Sequence, residues 1–421
     1  MDVWIAGVVF VGAYALIASE RVDRTLVALL GGLSVIVLGV IDQHEAFAAI
    51  DLNVIFLLAA MMVLASGLAK TGLFDWLAVR SVRLSHGDPM RLLLILCAVT
   101  AVLSAFLDNV TTVVLIVPVT LSISRRLGVS PTPYLISQIL ASNIGGTATL
   151  IGDPPNILIG SAAGLDFGAF LVNLGPVTII VFAVFVGIMY LMFRGSLQVP
   201  DDRRESALEA TEPAVIRDPW LLRRGLIVAG LTMVGFLLHS ALGLEAATVA
   251  LLGATLFMLV GRLDPHEAFR DVEWSTLFFF VGLFVLVEAV VHVGIVGGIA
   301  DALVEAAGGH VGVASIALLW FSALASALVD NIPYTATAIP IVERLVDSGM
   351  SAPALWWSLA LGACLGGNLT IVGASANVVV VNLAARGGNP IRFWEFFRYG
   401  AVVVLMSLVI STLYVWLVYL L

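Results

Sequence analysis

The stretch AVLSAFLDNVTTVVLIVP, residues 101–118, places an aspartate and an asparagine in the middle of an otherwise apolar segment. The same arrangement returns as ALASALVDNIPYTATAIP, residues 323–340. An ionisable side chain deep in an apolar segment is costly and points to function. Aspartate and asparagine also favour the N-cap of a helix, so each segment is predicted to break there and restart as a second helix.

Two further patterns recur in the same order at a spacing of about 220 residues, which indicates an internal repeat. His44-Glu45-Ala46-Phe47 returns at 266–269, and the glycine-rich segment 145–156 returns at 366–377. We therefore predict a first repeat over 1–195 and a second over 222–421. A polar, charge-rich and proline-rich segment, 196–221, is the predicted cytoplasmic linker between them.

The composition is that of a membrane protein, because 61% of the residues are hydrophobic and only 12% are charged, against roughly 25% charged in soluble domains. Cys97 and Cys364 both lie in apolar stretches, which excludes a disulfide framework and a thiolate metal cluster. We find no nucleotide-binding loop and no nucleophile–base or His/Glu metal motif. We therefore expect no enzyme, no cofactor, no bound metal and no nucleic-acid partner.

The basic residues decide the membrane topology. Each half contains five apolar stretches long enough to cross a bilayer, at about 3–19, 25–41, 53–69, 134–164 and 170–193, and at about 224–240, 246–260, 274–291, 354–384 and 399–421. If both Asp-Asn segments are re-entrant and the N-terminus is outside, all of the 20 basic residues except Arg344 face the cytoplasm, as the positive-inside rule requires. Treating the Asp-Asn segments as full spans moves the 125–126 pair and the 194–224 cluster outside, so we reject it.

The predicted fold class is thus an all-α polytopic membrane protein with two inverted-topology repeats. Each repeat has five transmembrane spans, a re-entrant helical hairpin and one broken helix, an architecture of secondary transporters. The expected location is the inner membrane of a bacterial or archaeal cell, with both termini on the extracytoplasmic side. The two hairpins then enter from opposite faces and meet near the middle of the bilayer.

The broken helices are predicted at 142–156 and 366–377, where glycines loosen the helix and Pro154-Pro155 prevents its continuation. The second copy has Ala374-Ser375-Ala376 in place of Asp153-Pro154-Pro155, so the two halves are chemically unequal. We expect Asp108, Asp153 and Asp330 to bind or release protons or cations, rather than to serve only as N-caps.

The Asp-Asn segments and the 143–156 stretch resemble the ion transporter superfamily, over essentially the whole chain. Within it, the resemblance is to the branch of ArsB-type arsenite permeases, the melanocyte P protein and NhaD-type sodium/proton antiporters. It implies a scaffold that often dimerises and an elevator-like movement of the part that carries the substrate. The resemblance and the broken helices together give these expected substrate-binding residues: Asn109, Thr111, Asn143, Gly145, Gly146, Thr147, Asn156, Asn331, Thr335, Gly366, Gly367, Asn368 and Asn377.

The superfamily's dicarboxylate members carry Ser-Asn-Thr at both hairpin tips, where this sequence has Asp-Asn. Two carboxylates repel a dianion unless they are protonated or paired with sodium, and no Arg or Lys lies near either tip in the sequence. The leading hypothesis is therefore proton-coupled efflux of arsenite or antimonite as the neutral hydroxide. A sodium/proton antiporter is the alternative, followed by a sodium-coupled di- or tricarboxylate transporter and an ion channel. The expected partners are this small solute, protons and the lipid bilayer, with a second copy of the chain and a separate soluble ATPase subunit as further candidates.

Overall fold

The computed structural model of this chain describes residues 1–19, 21–197 and 216–421. Within these ranges every regular element is a helix. The first ten are α1 Asp2–Ser19, α2 Arg24–Val37, α3 Gln43–Ala48, α4 Leu52–Lys70, α5 Leu73–Leu84, α6 Pro89–Phe106, α7 Asn109–Leu127, α8 Thr132–Gly146, α9 Pro154–Ala163 and α10 Phe167–Phe193. The next ten are α11 Pro219–Leu238, α12 Ala246–Gly261, α13 Pro265–Arg270, α14 Trp274–His292, α15 Ile295–Ala307, α16 Val311–Val329, α17 Asn331–Asp347, α18 Ala352–Gly366, α19 Ser375–Arg386 and α20 Phe393–Val415, which continues as a π-helical turn over Trp416–Leu420.

Aspartates set the start of many of these helices. Asp51, Asp166 and Asp218 each accept a hydrogen bond from the backbone N–H three residues further along the chain. Such a cap satisfies an N–H that has no partner inside the helix. These caps fix where the chain leaves one apolar segment and enters the next.

Nine of the described helices are long and apolar enough to cross a membrane, and the chain is a multi-pass membrane protein. α2, α12 and α18 are shorter apolar helices. The predicted continuous spans at 134–164 and 354–384 are each two helices, α8 with α9 and α18 with α19, as expected for broken helices. The predicted linker falls largely on 198–215, outside the described residues, so its boundaries stay a prediction.

The helix order repeats, because each of α1 to α10 has a counterpart ten positions later. The packing repeats with it. α6 packs on α8 as α16 packs on α18, and α2 packs on α14 as α12 packs on α4. α7 packs on α19 while α17 packs on α9. The second arm of each hairpin therefore packs against the second part of the broken helix of the other half.

The counterpart helices α10 and α20 run in opposite directions. The Tyr414 and Tyr419 hydroxyls at the end of α20 donate to the backbone and side-chain oxygens of Asn173, near the start of α10, both at 2.7 Å. At the other end of the pair, Phe193 packs on Tyr399 with ring centroids 4.8 Å apart. An antiparallel relation between counterparts supports the inverted orientation of the two repeats.

Two groups of helices position the site. We call α1, α2, α4, α11, α12 and α14 the scaffold bundle, because they pack chiefly on one another. We call α6 to α9 with α16 to α19 the hairpin bundle. Hairpin 1 is α6 and α7, and hairpin 2 is α16 and α17.

Candidate functional site

The tip of hairpin 1 is built by Asp108. α6 ends at Phe106, Leu107 is extended with φ −122°, and Asp108 caps α7 by accepting the Thr111 N–H at 2.8 Å. The Thr111 hydroxyl also donates to the Asp108 carboxylate. With its carboxylate occupied in this way, Asp108 starts α7 at Asn109, which is buried.

Hairpin 2 has the same plan with a different backbone. Asp330 caps α17 through the Ile332 N–H at 3.3 Å, and its φ is +83° where that of Asp108 is −68°. A left-handed φ at a residue other than glycine costs on the order of 1–3 kcal/mol and persists only where the surroundings enforce it. The Asn331 N–H donates to the Gly373 carbonyl at 3.1 Å, which ties this tip to the second broken helix.

Asp153 lies where the two hairpin tips meet, and its side chain is fully buried. Its Oδ1 accepts a hydrogen bond from the Asn109 side chain of hairpin 1 and one from the Asn331 side chain of hairpin 2, both at 3.1 Å. Oδ2 accepts from Asn331 as well, at 3.3 Å. Asp153 begins α9 as predicted, but its carboxylate does not cap that helix. One carboxylate thus joins both hairpins.

Asparagine amides connect the two broken helices around this carboxylate. Asn143 donates to the side-chain oxygens of Asn368 and Asn377, both at 2.9 Å. The Cys364 thiol contacts the Asn156 side-chain oxygen at 3.4 Å, in the position that corresponds to the Asn143–Asn377 contact. The structure therefore brings the predicted asparagines of both halves into one buried network.

Two of these asparagines also hold the unwound segments. Asn156 donates to the carbonyls of Gly146, Thr147 and Thr149. Asn377 donates in the same way to the carbonyls of Gly367 and Thr370. Unwound backbone at membrane depth is tolerated only where its polar groups find such partners.

The remaining predicted residues surround the network rather than enter it. A side chain at Gly145 or Gly366 would collide with the backbone of Ala101 or Ala323, so these glycines allow a hairpin arm to approach. Gly146 and Gly367 allow the two ends of each unwound segment to approach each other. The hydroxyls of Thr147 and Thr335 donate to carbonyls of their own helices, and Thr111 lines a cavity outside the network.

The expectation that no cation lies near a tip is wrong for hairpin 2. Nη1 of Arg24, the first residue of α2, donates to Oδ2 of Asp330 at 3.1 Å and also contacts the Ser375 hydroxyl. Ser375 donates to the same carboxylate oxygen at 2.9 Å. Because 306 residues separate Arg24 from Asp330, no spacing rule in the sequence points to this contact.

Two cavities at one end of the bundle reach the hairpin tips. One, of about 380 Å³, is lined by Arg24, Asp330 and Ser375. The other, of about 370 Å³, is lined by Thr111 and by Glu273, which precedes α14. Burial, together with the nearby Asp108 carboxylate, raises the pKa of Glu273. A third cavity, of about 350 Å³, lies at the opposite end against α9 and α12.

In this conformation the central network is closed, since Asp153, Asn143 and Asn156 have no exposed surface. Its polar groups are satisfied by one another, so a solute enters only by replacing these hydrogen bonds. The amides can both donate to and accept from a small polar solute. The carboxylate can take up or release a proton.

The chain has relatives over its whole length. Residues 14–362 match a family model described as a citrate transporter. A 46 kDa membrane protein of Mycobacterium leprae (strain TN) is 45% identical, with 99% of each chain covered. An uncharacterized transporter of Mycobacterium tuberculosis (strain ATCC 25618 / H37Rv) is 44% identical, over 99% of this chain and 98% of the relative.

Two more distant matches concern the superfamily and the fold. The human P protein is 34% identical over 98% of this chain, which spans 59% of that protein. The crystal structure of the YdaH transporter of Alcanivorax borkumensis superposes with a TM-score of 0.61 at 17% identity, covering 99% of this chain and 97% of the other. At this identity the superposition concerns the fold alone.

Proposed function

The chain belongs to the citrate transporter family within the ion transporter superfamily, and from this premise we propose that it exports a small neutral solute in exchange for protons. The solute that best suits the site is arsenite or antimonite in the uncharged trihydroxide form. The observation that carries the proposal is the position of Asp153, fully buried and bonded to both hairpins.

Protonation of Asp153 alters its bond to hairpin 2 most directly. The ionised carboxylate accepts from Asn331 through both oxygens. A proton on Oδ2 turns that oxygen into a donor that faces an amide donor, and two donors repel each other. A proton at this position therefore loosens the contact that closes hairpin 2 over the site, which supports proton coupling.

The charges around the site favour a neutral solute. Three buried carboxylates, Asp108, Asp153 and Asp330, surround the network, and the guanidinium of Arg24 pairs with one of them. A trihydroxide brings hydroxyl groups that hydrogen-bond to amides in both directions and adds no charge to this cluster. The thiol of Cys364, in contact with Asn156, adds a soft ligand that suits trivalent arsenic.

The description of the matching family favours a second candidate, transport of citrate or another carboxylate. A trianion at this site meets more negative than positive charge, so it requires cations or protons to enter with it. Sodium/proton exchange by the same carboxylates is a further outcome that the test has to separate.

The test is transport into everted membrane vesicles that carry an imposed proton gradient, acidic inside, with arsenite, antimonite, sodium and citrate compared side by side. We expect arsenite and antimonite to accumulate and the gradient to collapse faster in their presence. Asp153→Asn is expected to abolish the response to the gradient, because it removes the proton-binding group and keeps the size of the side chain.

Asp264→Asn is the matched control. Asp264 caps α13, and asparagine caps a helix about as well as aspartate, so this variant is expected to transport normally. Accumulation of citrate or sodium but not arsenite would replace the proposed solute. Unchanged gradient-driven arsenite uptake by Asp153→Asn would refute the role given to this carboxylate.

A further inference from the structure

Arg24 is fixed to the scaffold bundle at its backbone and to the hairpin bundle at its side chain. Asp23 caps α2 through the backbone N–H of Thr25, and the Thr25 hydroxyl donates to the Ser275 carbonyl of α14 at 3.0 Å. From this anchored position the Arg24 side chain reaches Asp330 at the tip of hairpin 2 and Ser375 at the start of α19. One guanidinium therefore holds two elements of the hairpin bundle against the scaffold bundle.

The internal repeat shows what the tip of hairpin 2 looks like without such a contact. Asp108, the counterpart of Asp330, has an ordinary φ of −68° and caps its helix at 2.8 Å, against 3.3 Å for Asp330. Ala246 begins α12 where Arg24 begins α2, so the position that corresponds to Arg24 supplies no cation to hairpin 1. The left-handed φ of Asp330 thus occurs at the tip that Arg24 contacts. The tip of hairpin 1, which lacks this contact, has an ordinary φ at Asp108.

We propose that Arg24 is a positioning residue of the transport cycle, which locks hairpin 2 to the scaffold bundle through Asp330 and releases it when a proton takes its place on that carboxylate. The proton binds Oδ2, the oxygen that now accepts from the guanidinium, and Arg24 keeps its charge throughout. The inference rests on the proposed function only in the choice of the proton as the coupling ion.

Other charged groups face Asp330 and belong in the interpretation of any pH effect. Arg21 and Asp23 line the same cavity, Asp153 lies behind the tip on the broken helix, and Glu273 lies beside the start of α2. Arg21 provides the control for a substitution of Arg24. It is a second arginine at the same cavity, and within the described ranges it forms no ion pair with Asp330.

The test places a cysteine at Ser375 and follows its reaction with a membrane-impermeant maleimide in nanodiscs, where both faces of the bilayer are open to the reagent. Ser375 is only 5% exposed, so the parent Ser375→Cys protein is expected to react slowly. Adding Arg24→Gln is expected to speed the reaction by about tenfold, because a charge-assisted contact that holds α19 is lost. Arg24→Lys keeps the charge and is expected to stay close to the parent, and Arg21→Gln is expected to change nothing.

A second reporter isolates the proton. Asn382→Cys lies further along α19 in the same cavity, so its labelling rate corrects for the intrinsic pH dependence of thiol reactivity. The ratio of the Ser375→Cys rate to the Asn382→Cys rate is expected to rise as the pH is lowered with Arg24 present, and to stay flat in Arg24→Gln. The native cysteines Cys97 and Cys364 are buried, and their lack of reaction confirms that each variant is folded.

Three results would overturn the proposal: an unchanged labelling rate in Arg24→Gln, an equal acceleration by Arg21→Gln, and a flat pH ratio in the parent. If Arg24→Gln exposes the native cysteines, the parent's pH ratio decides alone. A ratio that rises with sodium and not with protons would also overturn the choice of ion. Labelling requires no solute, so a failure here leaves the arsenite proposal standing, and a failure of arsenite transport leaves this one standing.

Discussion

Replacing Gly152 by alanine tests how closely the broken helix is packed against hairpin 1. The backbone at Gly152 does not have a left-handed φ, so only space limits the substitution. A Cβ there would lie 2.6 Å from the Gly146 carbonyl oxygen and 2.6 Å from the Ser104 carbonyl oxygen, where ordinary contact begins at 3.4 Å. Both neighbours are backbone atoms, so the segment itself must move by about 0.8 Å.

This movement displaces Asp153, the residue that joins the two hairpins. Asp153 follows Gly152 directly, and its bonds to Asn109 and Asn331 are 3.1 Å long. A displacement of about 0.8 Å away from either amide stretches that bond beyond hydrogen-bonding distance. With about 1–3 kcal/mol for the overpacking and about 1.5–3 kcal/mol for a lost bond to a charged group, we expect Gly152→Ala to cost about 2.5–6 kcal/mol.

The assay is thermal unfolding in detergent, followed by gradient-driven transport in vesicles. Gly187→Ala is the control for the substitution itself, because nothing lies within 4 Å of a Cβ at that position in α10 and alanine favours a helix over glycine. Gly373→Ala is the control for overpacking, since its Cβ would lie 2.7 Å from the Gly367 carbonyl but Ala374 follows it in place of an acid.

We expect both Gly152→Ala and Gly373→Ala to unfold at lower temperature than Gly187→Ala, and Gly152→Ala to lose the larger part of its response to the proton gradient. If Gly152→Ala is as stable as Gly187→Ala, the close backbone approach is not what requires glycine. An equal loss of gradient response in Gly373→Ala would show that the effect does not pass through Asp153.

Three further predictions concern single contacts. Asn156→Ala and Asn377→Ala each remove the amide that holds an unwound segment. Each variant is expected to unfold at a lower temperature, by a similar amount, because every buried carbonyl left unpaired costs about 1–3 kcal/mol. A variant as stable as the parent would show that water replaces the amide. Ser104→Ala and Ser326→Ala remove equivalent hydroxyl hydrogen bonds to the carbonyls of Ser142 and Ala363. We expect each substitution to cost about 1 kcal/mol of stability. Unequal losses of stability in thermal unfolding would contradict the equivalence of these two contacts. Because burial raises the pKa of Glu273, the folded state binds this proton more tightly than the unfolded chain does, and stability falls as the pH rises above the ordinary value of 4.5. Glu273→Gln is therefore expected to raise the unfolding temperature near pH 7 and to lose this advantage below pH 4.5, and an advantage that persists in acid would contradict the assignment.

The repeat made most of the fold predictable from the sequence. Two collinear copies of a pattern require two similar sets of helices, and Asp108, Asp330 and the glycines around 145 and 366 marked where those helices break. These signals are local, because capping, proline and glycine act on the backbone within a few residues. The short helices α3, α5, α13 and α15 were not predicted, since they lie between the long apolar stretches.

The connections within the site were not predictable in the same way. The sequence placed Asp153 at a helix start, but an acid in that position usually caps its own helix, and nothing local indicates that it binds Asn109 and Asn331 instead. In the sequence Arg24 is one of many arginines predicted to face the cytoplasm, although it contacts Asp330 across 306 residues. Both contacts depend on how the two halves pack against each other. A contact between side chains that are far apart in the sequence produces no periodic pattern from which it could be predicted.

The antiparallel relation between α10 and α20 has a consequence for energetics. Consider a molecule of this kind with two identical inverted halves. If the two halves exchange their conformations, the result is the same molecule turned upside down in the membrane. The two conformations then have equal free energy, and neither is preferred at rest. Every bias between them must then come from residues that differ between the copies. Asp153 against Ala374 and Arg24 against Ala246 are two such differences at the site, so we expect substitutions at either pair to change which of the two conformations the protein prefers at rest.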